Sequence, residues 1–261
     1  MHHFKIAAQL YSFRDYIGTP AGVRDTFRRL KAIGYHAVQL SGAIAPMPER
    51  DLVAMLEDSG LVAPTSHDNQ AAIINDTRRV IDRLLALGCR HTAYPYPHRM
   101  PTGIGETIAL AEELNAAAEK FRAAGITLAY HNHSVEFAKF EGRLMLDLIY
   151  ENAPLLEGEI DTYWVQKGGG SPTAWIDRLS GRMKVLHIKD YGMKPGGDCS
   201  ASVMMPVGSG NLNWPEIFAA AERSGVEWCV VEHDGDVVGD VFDSFASSLR
   251  FLKQNFPGEE Q

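Results

Sequence analysis

Short apolar segments and helical patterns alternate along the whole of this chain. The apolar segments predict eight β-strands, at residues 4–10, 36–40, 61–66, 91–94, 126–132, 156–161, 183–188 and 228–232. The segments between them predict helices at residues 19–34, 48–59, 70–87, 104–124, 143–152 and 213–224, one opening at 171–172 and a last one at 238–254. Eight such units in 261 residues match the size of a (β/α)₈ TIM barrel, built as a single domain over residues 1–261.

Local start and stop signals support these helices. Thr19 followed by Pro20 is typical of a helix N-terminus, and Gly34 and Gly60 stand where the first two helices are expected to end. The alternative fold, a doubly wound sheet, would normally carry a glycine-rich phosphate-binding turn after its first strand. This chain has the sequence QLYSFRD at that point, which favours the barrel.

The composition excludes several classes of protein. Hydrophobic residues make up 45% of the chain, yet no apolar stretch reaches the roughly 18–20 residues that span a membrane. The net charge of −8 argues against nucleic-acid binding, because a phosphate backbone is gripped by clustered lysine and arginine. Cys89, Cys199 and Cys229 are odd in number and widely spaced, so neither a disulfide framework nor a zinc ribbon is expected. With no signal-peptide pattern at the N-terminus, we expect a cytoplasmic protein.

Three predicted strands in the second half of the chain each end on a residue that can bind a metal ion. LEGEID ends on Asp161, MKVLH on His187 and WCVVE on Glu232. An ionisable side chain at the end of a buried strand is costly unless it is paired or ligated. In TIM barrels this end of the strands also carries the active site. Oxygen and nitrogen ligands together predict one divalent ion, with Mn, Zn, Mg and Co as the candidates.

The alternation of side chains along a strand places more polar residues at the same barrel mouth. His131 and His133 share a face of the fifth strand, and Lys189 and Asp234 follow the seventh and eighth strands on the faces of His187 and Glu232. The earlier strands contribute Gln9, Tyr11, Gln39 and His67. We therefore expect a metal on the side of strands five to eight and a substrate that also contacts strands one to four.

Five motifs in the second half resemble a known family. AYHNH, EIDTYW, LHIKD, GSGNLNWPEIF and WCVVEHD are similar to segments of the xylose isomerase-like TIM-barrel superfamily, which includes ketose 3-epimerases, hydroxypyruvate isomerases and inosose dehydratases. The resemblance is close from about residue 125 to 232 and rests on strand order before that. In the ketose epimerases, Glu, Asp, His and Glu from strands five to eight hold the metal. The resemblance implies that Asp161, His187 and Glu232 are the second, third and fourth ligands.

The first ligand is where this chain departs from the epimerase pattern. His131 stands at the position of the expected glutamate, and imidazole suits Zn, Mn or Co. His133, on the same face, and Glu136, in the following loop, are alternatives that remain open. The resemblance therefore implies the ligand set His131, Asp161, His187 and Glu232, with His131 as its first member by alignment.

The resemblance also implies proton abstraction next to a metal-bound carbonyl of a small sugar or polyol. The candidate acid–base and charge-stabilising residues are Glu232, Glu136, His133 and Lys189. The candidate substrate-binding residues are His67, Trp164, Gln9 and Tyr11. Trp164, placed in a loop after Asp161, would form an apolar wall against the sugar.

Three functions stay open at this stage. The first is a metal-dependent sugar isomerase or epimerase, the second a metal-dependent dehydratase of a keto-sugar or inosose, and the third a non-catalytic carbohydrate-binding barrel. All three take a small-molecule partner and none takes nucleic acid or a membrane. The stretch 192–206 is long and rich in Gly, Pro and Met, which is typical of a lid or of a contact in a homo-oligomer.

Overall fold

Eight parallel strands form the centre of the molecule. The computed structural model describes residues 4–194, 196, 201–235 and 239–256. The barrel strands are β1 (Lys5–Gln9), β2 (Ala37–Leu40), β3 (Val62–His67), β4 (His91–Tyr94), β5 (Thr127–His131), β6 (Glu157–Glu159), β7 (Val185–Ile188) and β8 (Trp228–Val231). All eight overlap the strands that the sequence predicts.

Helices follow the strands in chain order. They are α1 (Pro20–Ile33), α2 (Glu49–Ser59), α3 (Gln70–Asn75), α4 (Thr77–Ala86), α5 (Ile104–Ala123), α6 (Met145–Asn152), α7 (Thr162–Lys167), α8 (Pro172–Arg178), α9 (Trp214–Ser224) and α10 (Val241–Asn255). The predicted signals of α1 are present: the Thr19 hydroxyl accepts a hydrogen bond from the Gly22 N–H at 3.1 Å, and Gly34 ends the helix at φ 111°. No helix of the described residues is long and apolar enough to cross a membrane.

The strand order shows a barrel. Hydrogen bonds join the strands in the order β6-β5-β4-β3-β2-β1-β8-β7, and every neighbouring pair is parallel. The two outer strands of this order, β6 and β7, also meet each other. The Gly158 N–H donates to the Arg182 carbonyl at 2.8 Å, the His187 N–H donates to the Ile160 carbonyl at 2.9 Å, and Asp161 bridges His187. The predicted (β/α)₈ fold is therefore confirmed.

The barrel interior has an apolar lower layer and a polar upper layer. Ala7, Ala37, Val185, Trp228 and Val230 form a separate buried cluster inside the barrel. The residue two positions further along most of these strands is polar and buried, as at Gln9, Gln39, His187 and Glu232. Since side chains alternate with a period of two, each of these polar residues points into the barrel above an apolar one, at the C-terminal mouth. The main core lies outside, between the sheet and the helices.

Two predicted elements differ from the structure. The helix predicted at 70–87 is two helices, because the backbone leaves the helical region at Asp76 (φ −136°, ψ 43°). No Gly or Pro marks this break in the sequence, and the bend lets Arg83 of α4 reach Asp68 at 2.5 Å. Trp164 lies on the short helix α7 rather than in a loop, since the Asp161 side chain caps that helix.

The stretch 192–206 contains β-structure in its described part. Asp190–Met193 and Ser202–Met205 pair as an antiparallel hairpin beside the barrel mouth. Cys199 and the predicted start of the last helix at Val238 lie outside the described residues. The hairpin packs against α7, where the Tyr163 hydroxyl lies 3.1 Å from the Ser202 hydroxyl.

Candidate metal centre and active site

The four residues predicted as metal ligands lie together at the C-terminal mouth of the barrel. One potential ligand atom from each of His131, Asp161, His187 and Glu232 falls within 4.8 Å of the others. They lie at or just after the C-terminal ends of β5 to β8, and all four side chains are buried. We call this set the ligand cluster. Two imidazole nitrogens and two carboxylate oxygens form a donor set that suits Mn, Zn or Co, and its carboxylates also suit Mg.

Asp161 is positioned by both of its neighbouring elements. Its N–H donates to the Asn132 side-chain oxygen at 3.0 Å, and its Oδ1 accepts the Trp164 N–H at 2.9 Å. The other oxygen, Oδ2, faces the cluster and accepts no well-oriented hydrogen bond from the described residues, although Lys189 Nζ lies 2.9 Å away. Burial raises the pKa of Asp161 to about 6, in spite of the nearby lysine. A buried carboxylate oxygen whose nearest neighbour is a cation fits a metal ligand.

His187 lies between two carboxylates. Its Nδ1 is 2.8 Å from Glu232 Oε2, and its Nε2 is 2.9 Å from Glu159 Oε1. Burial alone lowers the pKa of His187, but the carboxylates of Glu159 and Glu232 outweigh it and raise that pKa to about 10. Burial likewise raises the pKa of Glu232, yet Lys189 and His187 bring it well below its ordinary value. Glu232 is therefore an ionised carboxylate at neutral pH.

Glu159 is a second carboxylate behind the cluster. Its side chain contacts His67 Nε2, and Gln39 Nε2 donates to it at 3.2 and 3.3 Å. Burial raises the pKa of Glu159, but His187 and His67 outweigh that effect and lower it to about 2. Glu159 also forms an alternative group of ligand atoms with His67, His131 and His187. The oxygens of Glu159 already accept hydrogen bonds from neighbouring donors. Glu159 is therefore suited to orienting the imidazoles of His67 and His187 rather than to binding the ion itself.

His131 completes the cluster as the last residue of β5. Its Nε2 lies 3.9 Å from Asp161 Oδ2, and its Nδ1 is buried without a hydrogen-bond partner among the described residues. Burial lowers the pKa of His131 well below its ordinary value, and His187 adds to the effect. A neutral imidazole with an unpaired nitrogen is the form that ligates a metal.

A cavity of about 560 Å³ opens over the cluster. The lining side chains that can meet a ligand are Tyr11, His67, Asn69, Tyr96, His131, His133, Glu232 and Asp234. Tyr11 and Tyr96 are 42% and 38% exposed, so each presents a ring to the cavity or its rim. The volume and the mixed polar and aromatic lining suit a small polar molecule.

The four predicted substrate-binding residues differ in their position relative to the cavity. Tyr11 and His67 line the cavity. Gln9 is fully buried below it, where its amide contacts Gln39 and its Oε1 accepts the Tyr11 N–H at 3.1 Å. Trp164 stands beside the cavity, with its ring 5.1 Å from that of His133. The structure thus brings Tyr11 and His67 to the site and leaves Gln9 as a support beneath it.

The predicted catalytic residues also separate into two sets. His133 and Glu232 line the cavity, and Lys189 lies fully buried against the cluster. Glu136 lies outside both groups of ligand atoms: it accepts hydrogen bonds from the Tyr130 hydroxyl at 3.0 Å and from the His133 N–H at 2.7 Å. Burial raises the pKa of Glu136 to about 7. Its contacts are those of a residue that holds the loop of His133.

Four described residues of the site have no role in the sequence-based prediction: Asn69, Tyr96, Glu159 and Asp234. The alternation places Glu159 on the face of Asp161 and Asp234 on the face of Glu232, but it assigns neither residue a role. Tyr96 comes from the segment after β4 and carries no signal in the sequence. Its ring lies 5.2 Å from that of His133, and it reaches the cavity only through the fold.

The match to a known family agrees with this architecture. The profile of the xylose isomerase-like TIM-barrel family matches residues 27–255, so the chain belongs to that family. The superfamily predicted from the motifs is therefore confirmed. No curated protein sequence matches the chain significantly.

Solved structures give the same fold over the whole length. A sugar phosphate isomerase/epimerase from Parabacteroides distasonis is 23% identical, with a TM-score of 0.82 over 99% of this chain and 96% of the other. A xylose isomerase-like TIM-barrel protein from Mycobacterium smegmatis in complex with magnesium is 17% identical, with a TM-score of 0.73 over 97% and 96%. A probable 3-DHS dehydratase involved in petrobactin synthesis in Bacillus anthracis is 14% identical, with a TM-score of 0.71 over 97% and 100%. At these identities the likeness shows the fold alone.

Proposed function

We propose that this protein is a divalent-metal-dependent isomerase or epimerase of a small keto-sugar, acting by removal of a proton next to a carbonyl. The observation that carries the proposal is the ligand cluster, in which two imidazoles and two carboxylates from consecutive strands converge beneath a cavity of about 560 Å³. A solved relative in the fold is a sugar phosphate isomerase/epimerase, and another is a complex with magnesium. Both likenesses support the proposal without deciding the substrate.

The residues present fit a metal ion. Asp161 Oδ2 and His131 Nδ1 accept no well-oriented hydrogen bond from the described residues, and the nearest cation to Asp161 Oδ2 is Lys189 Nζ at 2.9 Å. Asp161 and His131 are both members of the ligand cluster. In the proposed site, His131, Asp161, His187 and Glu232 hold the ion. A bound divalent ion supplies Lewis acidity that polarises a carbonyl and makes the neighbouring C–H acidic.

The side chains bordering the cavity then have distinct tasks. Glu232 is ionised and lines the cavity, so its carboxylate is the base that takes the proton from carbon. His133 borders the same cavity, and burial lowers its pKa to about 4, so it is a neutral imidazole that can exchange a proton with a substrate oxygen or carbon. His67 and Tyr11 contact and orient the substrate from the side of β1 to β4.

A dehydratase is the second candidate. The observation that favours it is the pair of unlike groups at the cavity, a carboxylate at Glu232 and an imidazole at His133, where two-base epimerisation uses two carboxylates. Elimination needs one group to take a proton from carbon and another to protonate the departing hydroxide. A probable 3-DHS dehydratase shares the fold. The same pair of residues would serve both reactions, so the product decides between them.

Incubation in D₂O tests the proposal directly. The protein, supplied with Mn²⁺, is incubated with a panel of ketohexoses, 3-keto-sugars and inososes, and the products are followed by NMR and mass spectrometry. We expect deuterium next to a carbonyl of at least one substrate, because each reaction begins by removing that proton to a side chain that exchanges with solvent.

The outcome separates the candidates. Deuterium in a skeleton of unchanged mass, apart from the label, supports an isomerase or epimerase, whereas a product lighter by one water supports a dehydratase. Bound metal with tight sugar binding, but with neither exchange nor product, would contradict catalysis and indicate a carbohydrate-binding barrel.

A further inference from the structure

Lys189 is a buried cation at the edge of the ligand cluster. Its Nζ lies 2.9 Å from Asp161 Oδ2, 2.8 Å from Glu232 Oε2 and 2.7 Å from Asp234 Oδ2, and its side chain is fully buried. Three carboxylate oxygens therefore surround the ammonium group at hydrogen-bonding distance.

Hydrogen bonds also fix the main chain at Lys189. The Lys189 N–H donates to the Thr162 hydroxyl at 3.0 Å, and that hydroxyl donates to the Lys189 carbonyl at 2.8 Å. Any adjustment of the ammonium must therefore come from its flexible four-carbon stem.

Two of the three carboxylates are proposed metal ligands, and the third is not. Asp161 and Glu232 belong to the ligand cluster, whereas Asp234 is absent from both groups of potential ligand atoms found among the described residues. Asp234 has its own supports, since Trp164 Nε1 donates to its Oδ2 at 3.2 Å and His133 Nε2 lies 4.0 Å away. It also lines the cavity.

We propose that Lys189 is a built-in counter-ion that competes with the divalent ion for the charges of Asp161 and Glu232, and that Asp234 keeps Lys189 beside the ligand cluster when the ion binds. Without a metal, buried carboxylates need a positive partner. With a metal bound, the ammonium and the ion repel each other at short range, because both would lie among buried side chains where charges are weakly screened. This inference rests on the proposed metal-dependent function and adds a residue that sets the affinity for the ion.

Isothermal titration calorimetry of Mn²⁺ binding to two variants tests the inference. The two substitutions are expected to change the dissociation constant in opposite directions. Lys189→Met keeps the length of the side chain and removes the charge, so the dissociation constant for Mn²⁺ should fall by at least about ten-fold. Asp234→Asn removes the retaining charge and ties Lys189 more strongly to the ligands, so the dissociation constant should rise several-fold. Each protein is stripped with a chelator, checked by circular dichroism and titrated with MnCl₂.

A stability measurement gives a second readout that does not depend on turnover. Metal-free Lys189→Met should melt at a lower temperature than the metal-free wild type, and saturating Mn²⁺ should raise its melting temperature by more than it raises that of the wild type. If metal-free Lys189→Met does not fold, the reduced affinity of Asp234→Asn still tests the competition. Lys184→Met is the matched control, since Lys184 precedes β7 at the far end of the barrel and pairs with Glu227 at 2.8 Å.

The results distinguish this inference from the function on which it rests. If the wild type binds Mn²⁺ and neither substitution changes the dissociation constant, Lys189 is only a structural ion pair and the inference fails while the metal site stands. Weaker binding in Lys189→Met would also overturn it, because the lysine would then organise the ligands rather than compete. Failure of the wild type to bind Mn, Zn, Mg or Co would overturn both.

Discussion

Glu136 should make the stability of the protein depend on pH, and the sign can be worked out from its surroundings. The side chain is fully buried, and burial raises its pKa from the ordinary 4.5 to about 7. The folded protein therefore holds a proton that the unfolded chain releases between about pH 4.5 and pH 7. Stability from this group is fully present below pH 4.5 and is lost as the pH rises through 7.

The magnitude follows from the two pKa values. A difference of one pKa unit between the folded and unfolded states corresponds to about 1.4 kcal/mol in the free energy of unfolding. The rise from 4.5 to about 7 therefore corresponds to about 3 kcal/mol in total. Between pH 5 and pH 8 the free energy of unfolding of the wild type should fall by about 2–3 kcal/mol more than that of Glu136→Gln. A glutamine can still accept from the His133 N–H and can donate to the Tyr130 hydroxyl, so both contacts of Glu136 are kept.

Urea unfolding at pH 5, 6, 7 and 8, followed by far-UV circular dichroism, measures this difference. Other titrating groups are common to both proteins and cancel in the comparison. Glu57→Gln, on an exposed position of α2, is the control for the substitution itself. A difference between Glu136→Gln and the wild type that stays constant over this range would show that the carboxyl group is solvated or paired, and would refute the argument from burial.

Three further predictions concern the site and the loop beside it. Glu232→Gln should keep its fold and lose turnover by on the order of 10²-fold or more, with Glu227→Gln at the other end of β8 as the control; near-normal turnover would place the base elsewhere. Purified protein should carry about one divalent ion per chain by elemental analysis, and a chelator should lower its melting temperature by about 5–10 °C; an unchanged melting temperature after removal of a bound ion would speak against ligation in the cluster. Asp190→Asn should lower the free energy of unfolding by about 3 kcal/mol or more in urea titrations, because this carboxylate accepts from the N–H groups of Gly208, Gly210 and Leu212 and from Trp214 Nε1 at 2.7–3.2 Å. Asp177→Asn, which breaks the exposed pair with Arg223, should cost at most about 1 kcal/mol, and an equal loss in both variants would contradict this reading.

The sequence predicted the barrel because its strands are short, apolar and separated by clear helix signals. The order of parallel strands then required the residues at their C-terminal ends to meet, which is why Asp161, His187 and Glu232 could be grouped without knowing any distance. The break at Asp76 and the hairpin of Asp190–Met193 depend on contacts between distant segments. Such contacts leave no periodic pattern in the sequence.

The choice among His131, His133 and Glu136 shows where reasoning from the sequence stops. All three were candidates for the first ligand, because alternation gives His131 and His133 the same face only while the strand continues. In the structure β5 ends at His131, and the chain then turns so that His133 Nε2 faces Asp234 at 4.0 Å. Glu136 turns back to the N–H of His133 and supports the loop. The point at which a strand ends is set by its neighbours, and the sequence alone does not specify it.

The upper layer of the barrel is the place where this chain departs from ordinary core packing. Glu159, Asp161, His187, Lys189 and Glu232 are all buried there, although buried ionisable groups are costly unless they are paired. Lys189 balances part of the negative charge, yet Asp161 Oδ2 accepts no well-oriented hydrogen bond and His131 Nδ1 has no hydrogen-bond partner among the described residues. A barrel built for stability alone would carry Val or Leu at these positions, as it does one layer below at Val185 and Val230. This cost arises at the end of the strands where TIM barrels bind their ligands, and a divalent ion is the partner whose charge and ligand preference would offset it.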